Sequence, residues 1–115
     1  MKIKTSKLTG PALDWAVAKC LGYLDNGVHY PSWVYHMRYY PSTDWSQGGP
    51  ILTREGISRT IDHSGLWIAY WTDGYTCGDE GKKWMQCDRS ELVAGLRCYI
   101  ASKLGEEVDV PEELT

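Results

Sequence analysis

The sequence predicts an α+β domain, with helices packed on a small antiparallel sheet. Three observations predict it. An apolar stripe with helical spacing runs through residues 10–21 and another through 90–104. Between them, residues 57–72 hold two β-prone runs around a turn cluster. Runs of these lengths, in 115 residues, fit one domain with one core.

The first helix is marked by Leu13, Ala16, Val17, Cys20 and Leu21, at i, i+3, i+4, i+7 and i+8. Thr9 or Gly10 can cap it, Pro11 suits its first turn and Gly22 the C′ position. Asp14 is expected in the first turn, where the helix dipole favours a negative charge. Residues 23–43 interleave Tyr23, Tyr30, Trp33, Tyr35, Tyr39 and Tyr40 with Pro31, Pro41 and Gly27. This aromatic loop is either a long ordered loop or one with a short strand near Trp33–Met37.

A second helix is expected from Pro50 as N1 with Gly49 as its cap, running to Gly56. The reason is cost: a helix interior loses about 1 kcal/mol for Gly and about 3 for Pro. Strands Ile57–Ile61 and Leu66–Thr72 then flank Asp62-His63-Ser64-Gly65. In the second strand Trp67, Ala69 and Trp71 face one way and Leu66, Ile68 and Tyr70 the other, so both faces want cover: helices on one, loop aromatics on the other. Residues 73–88 read as an insertion or a second, variable hairpin, with Asp79-Glu80-Gly81 turning between Tyr75–Gly78 and Lys83–Cys87. The last helix is capped by Asp88 or Ser90. It carries Leu92, Val93, Leu96, Tyr99, Ile100 and Leu104 on its apolar face and stops at Gly105. An acidic tail, 106–115, follows; with the three lysines of the first seven residues it is expected to be solvated.

Composition bounds the function. The net charge is −3 and the 12 basic residues are scattered, which argues against a duplex nucleic-acid partner. No apolar run reaches the roughly 20 residues of a membrane span. The basic start, Met1–Lys7, lacks an apolar core, which argues against a secretory signal and for the cytoplasm. There are 6 Trp, 8 Tyr and no Phe, so every aromatic side chain has a polar atom that needs a partner or water when buried.

The segments Leu8-Thr9-Gly10-Pro11-Ala12-Leu13-Asp14-Trp15, Ser42-Thr43-Asp44-Trp45-Ser46-Gln47-Gly48-Gly49-Pro50-Ile51 and Leu96-Arg97-Cys98-Tyr99-Ile100-Ala101-Ser102-Lys103-Leu104-Gly105, with Val110-Pro111-Glu112-Glu113-Leu114, together resemble the NinX-like family of tailed-phage and prophage proteins. The arrangement is also similar to small phage domains built as helix–sheet–helix sandwiches. The resemblance implies an α+β fold and a phage product acting in the host bacterial cytoplasm. It carries over no catalytic residue.

The chemistry-bearing residues give two readings. Cys20, Cys77, Cys87 and Cys98 lack zinc spacing, and a reducing cytosol argues against a Cys77–Cys87 disulfide, so no metal or cofactor is expected. His29, His36 and His63 join no nucleophile motif, which points away from an enzyme. The first reading is a binding protein for a small anionic or nucleotide-like ligand, such as a host defence signal. Amides at Gly48 and Gly49, at a positive helix end, would hold the anion. Trp45, Trp71 and the loop tyrosines would stack on a ring, Arg54 or Arg97 would add charge, Asp44 would set the turn, and Gln47 joins the ligand-binding set. The alternative is an interaction module that meets a host or phage protein through its Trp and Tyr surface.

Overall fold

The structure, a computed structural model, describes residues 1–24, 29–30, 38–75 and 78–114. The possible strand near Trp33–Met37, and with it the aromatic cover of the second sheet face, lies outside them.

Among the described residues, two antiparallel sheets and three helices form the α+β architecture that the periodicity predicts. The elements in chain order are β1 (Lys2–Lys4), α1 (Gly10–Leu21), α2 (Trp45–Arg54), β2 (Ser58–Ile61), β3 (Trp67–Thr72), β4 (Lys82–Asp88), α3 (Glu91–Leu104) and β5 (Glu107–Asp109). Strands β2, β3 and β4 make one meander, with β3 in the middle. Helix α3 packs on β3 and β4 and also against α1 and α2. It is the centre of the core: Leu92, Ala94, Leu96, Cys98, Tyr99 and Ile100 are all buried.

Local chemistry explains most element ends. Helix α1 stops where Gly22 turns left-handed at φ 76°, and the Gly22 and Tyr23 N–H groups return to Ala18 and Lys19 carbonyls. Helix α3 starts where Ser90 Oγ accepts the Val93 N–H at 3.2 Å. Between β2 and β3, Asp62 Oδ1 accepts the N–H groups of Ser64 and Leu66, which closes the expected turn. Ala69 is fully buried beneath α3 and Trp67 packs on the core, so the row of Trp67, Ala69 and Trp71 is the one turned to the helices.

Four expectations are corrected. Helix α2 does not begin at Pro50. It begins at Trp45 with Asp44 as its cap, and Pro50 lies inside it. Of the expected variable hairpin, the Tyr75–Gly78 arm lies partly outside the described residues, and the Lys83–Cys87 arm belongs to β4. That strand joins β3, with Trp67 opposite Asp88 and Thr72 opposite Lys82, and extends the main sheet. The charged ends are not simply solvated tails. Lys2 lies opposite Asp109, Ile3 opposite Val108 and Lys4 opposite Glu107, so the basic start and acidic end are partners in a ribbon. Asp14 is past the first turn of α1 and points inward, where its carboxylate accepts the Ser42 N–H at 2.8 Å.

The glycines of α2 have different tasks. A Cβ on Gly48 would lie 2.4 Å from the Pro41 carbonyl oxygen and 2.7 Å from Leu92 Cδ1. A Cβ on Gly49 would meet only the half-exposed Trp45 ring, at 3.2 Å. Gly48→Ala is therefore expected to lower stability by about 1–3 kcal/mol, because backbone cannot yield. Gly49→Ala should raise it by up to about 1 kcal/mol through helix propensity. Urea unfolding of the two variants checks this opposite sign.

Asp14 sets a pH dependence. Burial holds its carboxyl above the ordinary value of 3.8, opposed only in part by the Ser42 contact. The protonated form thus favours the fold. That contribution is complete below pH 3.8 and is lost as pH rises through the folded-state value. Asp14→Asn keeps an acceptor for Ser42 and removes the titration. Its stability relative to the natural chain should rise as pH is raised from below 3.8 through the folded-state value of Asp14, measured by unfolding at each pH.

Candidate functional site

The expected site around the start of α2 is assembled, but its groups are engaged with one another. Asp44 Oδ1 accepts the Ser46 N–H at 2.9 Å and the Ser46 hydroxyl at 2.6 Å. The N–H groups of Gln47 and Gly48 both turn back to the Asp44 carbonyl. The Asp44 carboxylate therefore stands where an external anion would sit at this helix end. Gln47 clamps the incoming chain: its Nε2 donates to the Arg38 carbonyl at 3.0 Å and its Oε1 accepts the Tyr40 N–H. Gly48 and Gly49 sit within the helix, so neither forms an open nest. Trp45 is 48% exposed on its first turn.

Arg97 is 5% exposed and has no free face for a ligand. Its Nε donates to the Leu8 carbonyl at 2.8 Å. Its Nη1 donates to the Cys87 carbonyl at 3.0 Å and to Asp88 Oδ1 at 3.1 Å. Asp88 Oδ2 in turn accepts the Ser90 N–H. The guanidinium is a buried staple between α3, β4 and the segment before α1.

Trp71 belongs elsewhere. It lies beyond the far end of α2, beside Glu55 and Ile57, in a cleft of about 200 Å³ shared with Trp84, Ser102 and Lys103. A ten-residue helix is about 15 Å long, so Trp45 and Trp71 do not serve one small ligand. The Trp71 and Trp84 rings are 5.6 Å apart at 51°. Lys83 Nζ is 5.9 Å from the Trp71 ring centre. Across the cleft, Lys103 Nζ and Glu55 Oε1 form an ion pair at 3.5 Å.

The sequence does not reveal Trp84 as a site residue, because a bulge puts it there. Ala69 is opposite Gln86 and Trp71 opposite Lys83, so Tyr70 alone faces both Trp84 and Met85. Trp84 takes φ 56°, a left-handed conformation that such bulges usually give to glycine. Holding it there costs roughly 1–2 kcal/mol. The bulge turns the indole to the Trp71 side of the sheet and leaves it 42% exposed.

Other hollows offer less. One of about 480 Å³ adjoins Met1 and Trp15, but that indole is 3% exposed. One of about 270 Å³ between Lys4 and Glu107 has no aromatic lining. Among the described residues no three His, Cys, Asp or Glu side chains converge on a metal position. Burial pushes the Cys20 and Cys98 thiols up to about 12, which makes them inert core groups. Cys77 lies outside the described residues, and the question of a Cys77–Cys87 link with it. His29 and His63 are exposed, and His36 is outside the described residues. No described helix is long and apolar enough to cross a membrane.

With this geometry in hand, the comparison with known families is decisive about kinship. The family described as Bacteriophage P22, NinX matches residues 4–103. The chain belongs to that family. The match spans α1, α2, the meander and nearly all of α3, so it includes both the Asp44 cap and the Trp71–Trp84 cleft. No curated protein matches the chain.

Two substitutions separate structural residues from binding residues. Arg97→Met leaves the Leu8 and Cys87 carbonyls and the Asp88 carboxylate without their donor, and should lower stability by about 3–5 kcal/mol. Trp45→Ala should cost below about 1.5 kcal/mol, against about 3–5 for a fully buried Trp. Thermal and urea unfolding of both variants measure the difference.

Proposed function

We propose that this phage protein is a non-catalytic binding protein for a small, flat, anionic ligand of nucleotide type, held at the Trp71–Trp84 cleft. By binding such a ligand in the bacterial cytoplasm it would sequester a host defence signal. One observation carries the reading: a tryptophan occupies a left-handed bulge position at a cost in stability, and its ring meets a second indole at a cleft. Strain of this kind concentrates at functional sites, and bulges re-aim side chains there. Two indoles supply a stacking surface, worth about 1–3 kcal/mol per ring. Lys83 and Lys103 supply positive charge beside it.

The interaction-module reading has its own support. Tyr75, Trp84 and Met85 are exposed near one end of the sheet, and exposed aromatics often anchor protein partners.

A melting-shift screen of nucleotides and cyclic nucleotides tests the proposal. A ligand at a hundredfold excess over its Kd adds about 2.7 kcal/mol, a shift on the order of 10 °C for a domain of this size. Trp84→Gly is the telling variant. Glycine relieves the φ strain, so the melting temperature should hold or rise while the ligand shift disappears. If no nucleotide shifts the natural chain, the ligand reading falls and the interaction module takes its place.

A further inference from the structure

The cleft of the preceding section is not uniformly cationic, and its one acid has a position that a simple anion site would not favour. Glu55 is the C-cap residue of α2 and lines the same hollow as both indoles. Its Oε1 meets Lys103 at 3.5 Å, and no hydrogen bond to its Oε2 occurs among the described residues. Ser102 and Lys103 belong to the last turn of α3, so the carbonyl ends of two helices lie at this side of the cleft. Helix carbonyl ends and a carboxylate are all acceptors, and they favour N–H donors over phosphate oxygens. Lys83, opposite Trp71 in the sheet register, is the basic group on the strand side.

The hollow therefore has an indole wall and an acceptor side on which Lys103 is paired with Glu55, while Lys83 stands outside the lining, 5.9 Å from the Trp71 ring centre. A ring stacked on the indoles would turn a donor edge to Glu55 and an anionic group to Lys83. A cleft of about 200 Å³ takes one ring system, not an oligonucleotide. Among the nucleobases, guanine alone offers two adjacent N–H donors on one edge, and a carboxylate has two acceptor oxygens to match them. We infer that Glu55 is the specificity-determining residue of the cleft and that its ligand is a guanine-type mononucleotide. This rests on the ligand reading above. In the free protein Lys103 holds the carboxylate in the cleft; in the complex the carboxylate turns an oxygen to the guanine edge.

Titration calorimetry with GMP, IMP and AMP tests it, on the natural chain, Glu55→Gln and Trp84→Gly. IMP lacks one of the two donors and AMP offers no N1–H. GMP should bind about ten- to a hundredfold tighter than AMP, with IMP between them. In Glu55→Gln the GMP-to-AMP ratio should fall close to one. Lys103 is freed in that variant, so all three affinities can rise, and the ratio is the readout. Equal binding of the three nucleotides, lost in Trp84→Gly, overturns the role of Glu55 and leaves the cleft reading standing. A GMP preference that survives in Glu55→Gln also overturns it. Absence of binding by all three overturns this inference, while a shift from some other flat anion in the wider screen would still uphold the cleft.

Discussion

Helix α3 is buried on almost every side, and Arg97 is the charge that this burial must accommodate. A guanidinium out of water is costly unless its donors are used. Here they reach a carbonyl before α1, a carbonyl at the end of β4 and the Asp88 carboxylate. That set of bonds fixes where the sheet ends and where the chain before α1 must lie. Gly95 completes the arrangement from the other direction. A Cβ there would be 2.6 Å from Leu52, so its absence lets α2 sit close against α3. The closeness of α2 to α3 is what brings Glu55 within reach of Lys103 and both beside Trp71.

Features set by neighbouring residues were legible in the sequence. The α1 stripe with its Gly22 stop, the Asp62 turn and the Ser90 cap are all short-range patterns, and each holds. Helix α2 was misplaced because Gly48-Gly49-Pro50 satisfies a local rule for a helix start. Tertiary contacts override that rule: Asp44 caps the helix five residues before Gly49, Gln47 clamps the entering chain, and Gly48 is needed where the Pro41 carbonyl approaches. The terminal ribbon has one apolar residue per strand and a partner at the opposite end of the chain, so periodicity gives it no signal. Its trace was the charge asymmetry, which makes sense only when the ends are paired.

The candidate site was legible by half. Trp71 stands out as an aromatic in a strand, while Arg97 looks like a ligand for charge and is instead a staple. Trp84 was missed for a physical reason. Its direction depends on a left-handed φ that residue type predicts against. The same bulge serves the sheet as well as the cleft. Among the described residues β4 is an edge strand, and a kink there, beside Lys82 and Lys83, makes it a poor template for pairing with another chain. An edge so blunted can present a tryptophan without inviting strand addition.

The ribbon of β1 and β5 has a consequence for how the chain reaches this structure. Its partners are separated by more than a hundred residues, as the Met1–Asp109 contact shows. Closing so long a loop costs roughly 4 kcal/mol in chain entropy from the logarithmic term alone. Three residue pairs with one apolar pair among them do not repay that unaided. The ribbon can close only after α1 and α3 have docked and carried both ends to the same place. It is thus expected to form late on the folding route, after the rate-limiting barrier. Whatever it adds to the lifetime of the folded state comes from slowing escape, not from hastening arrival.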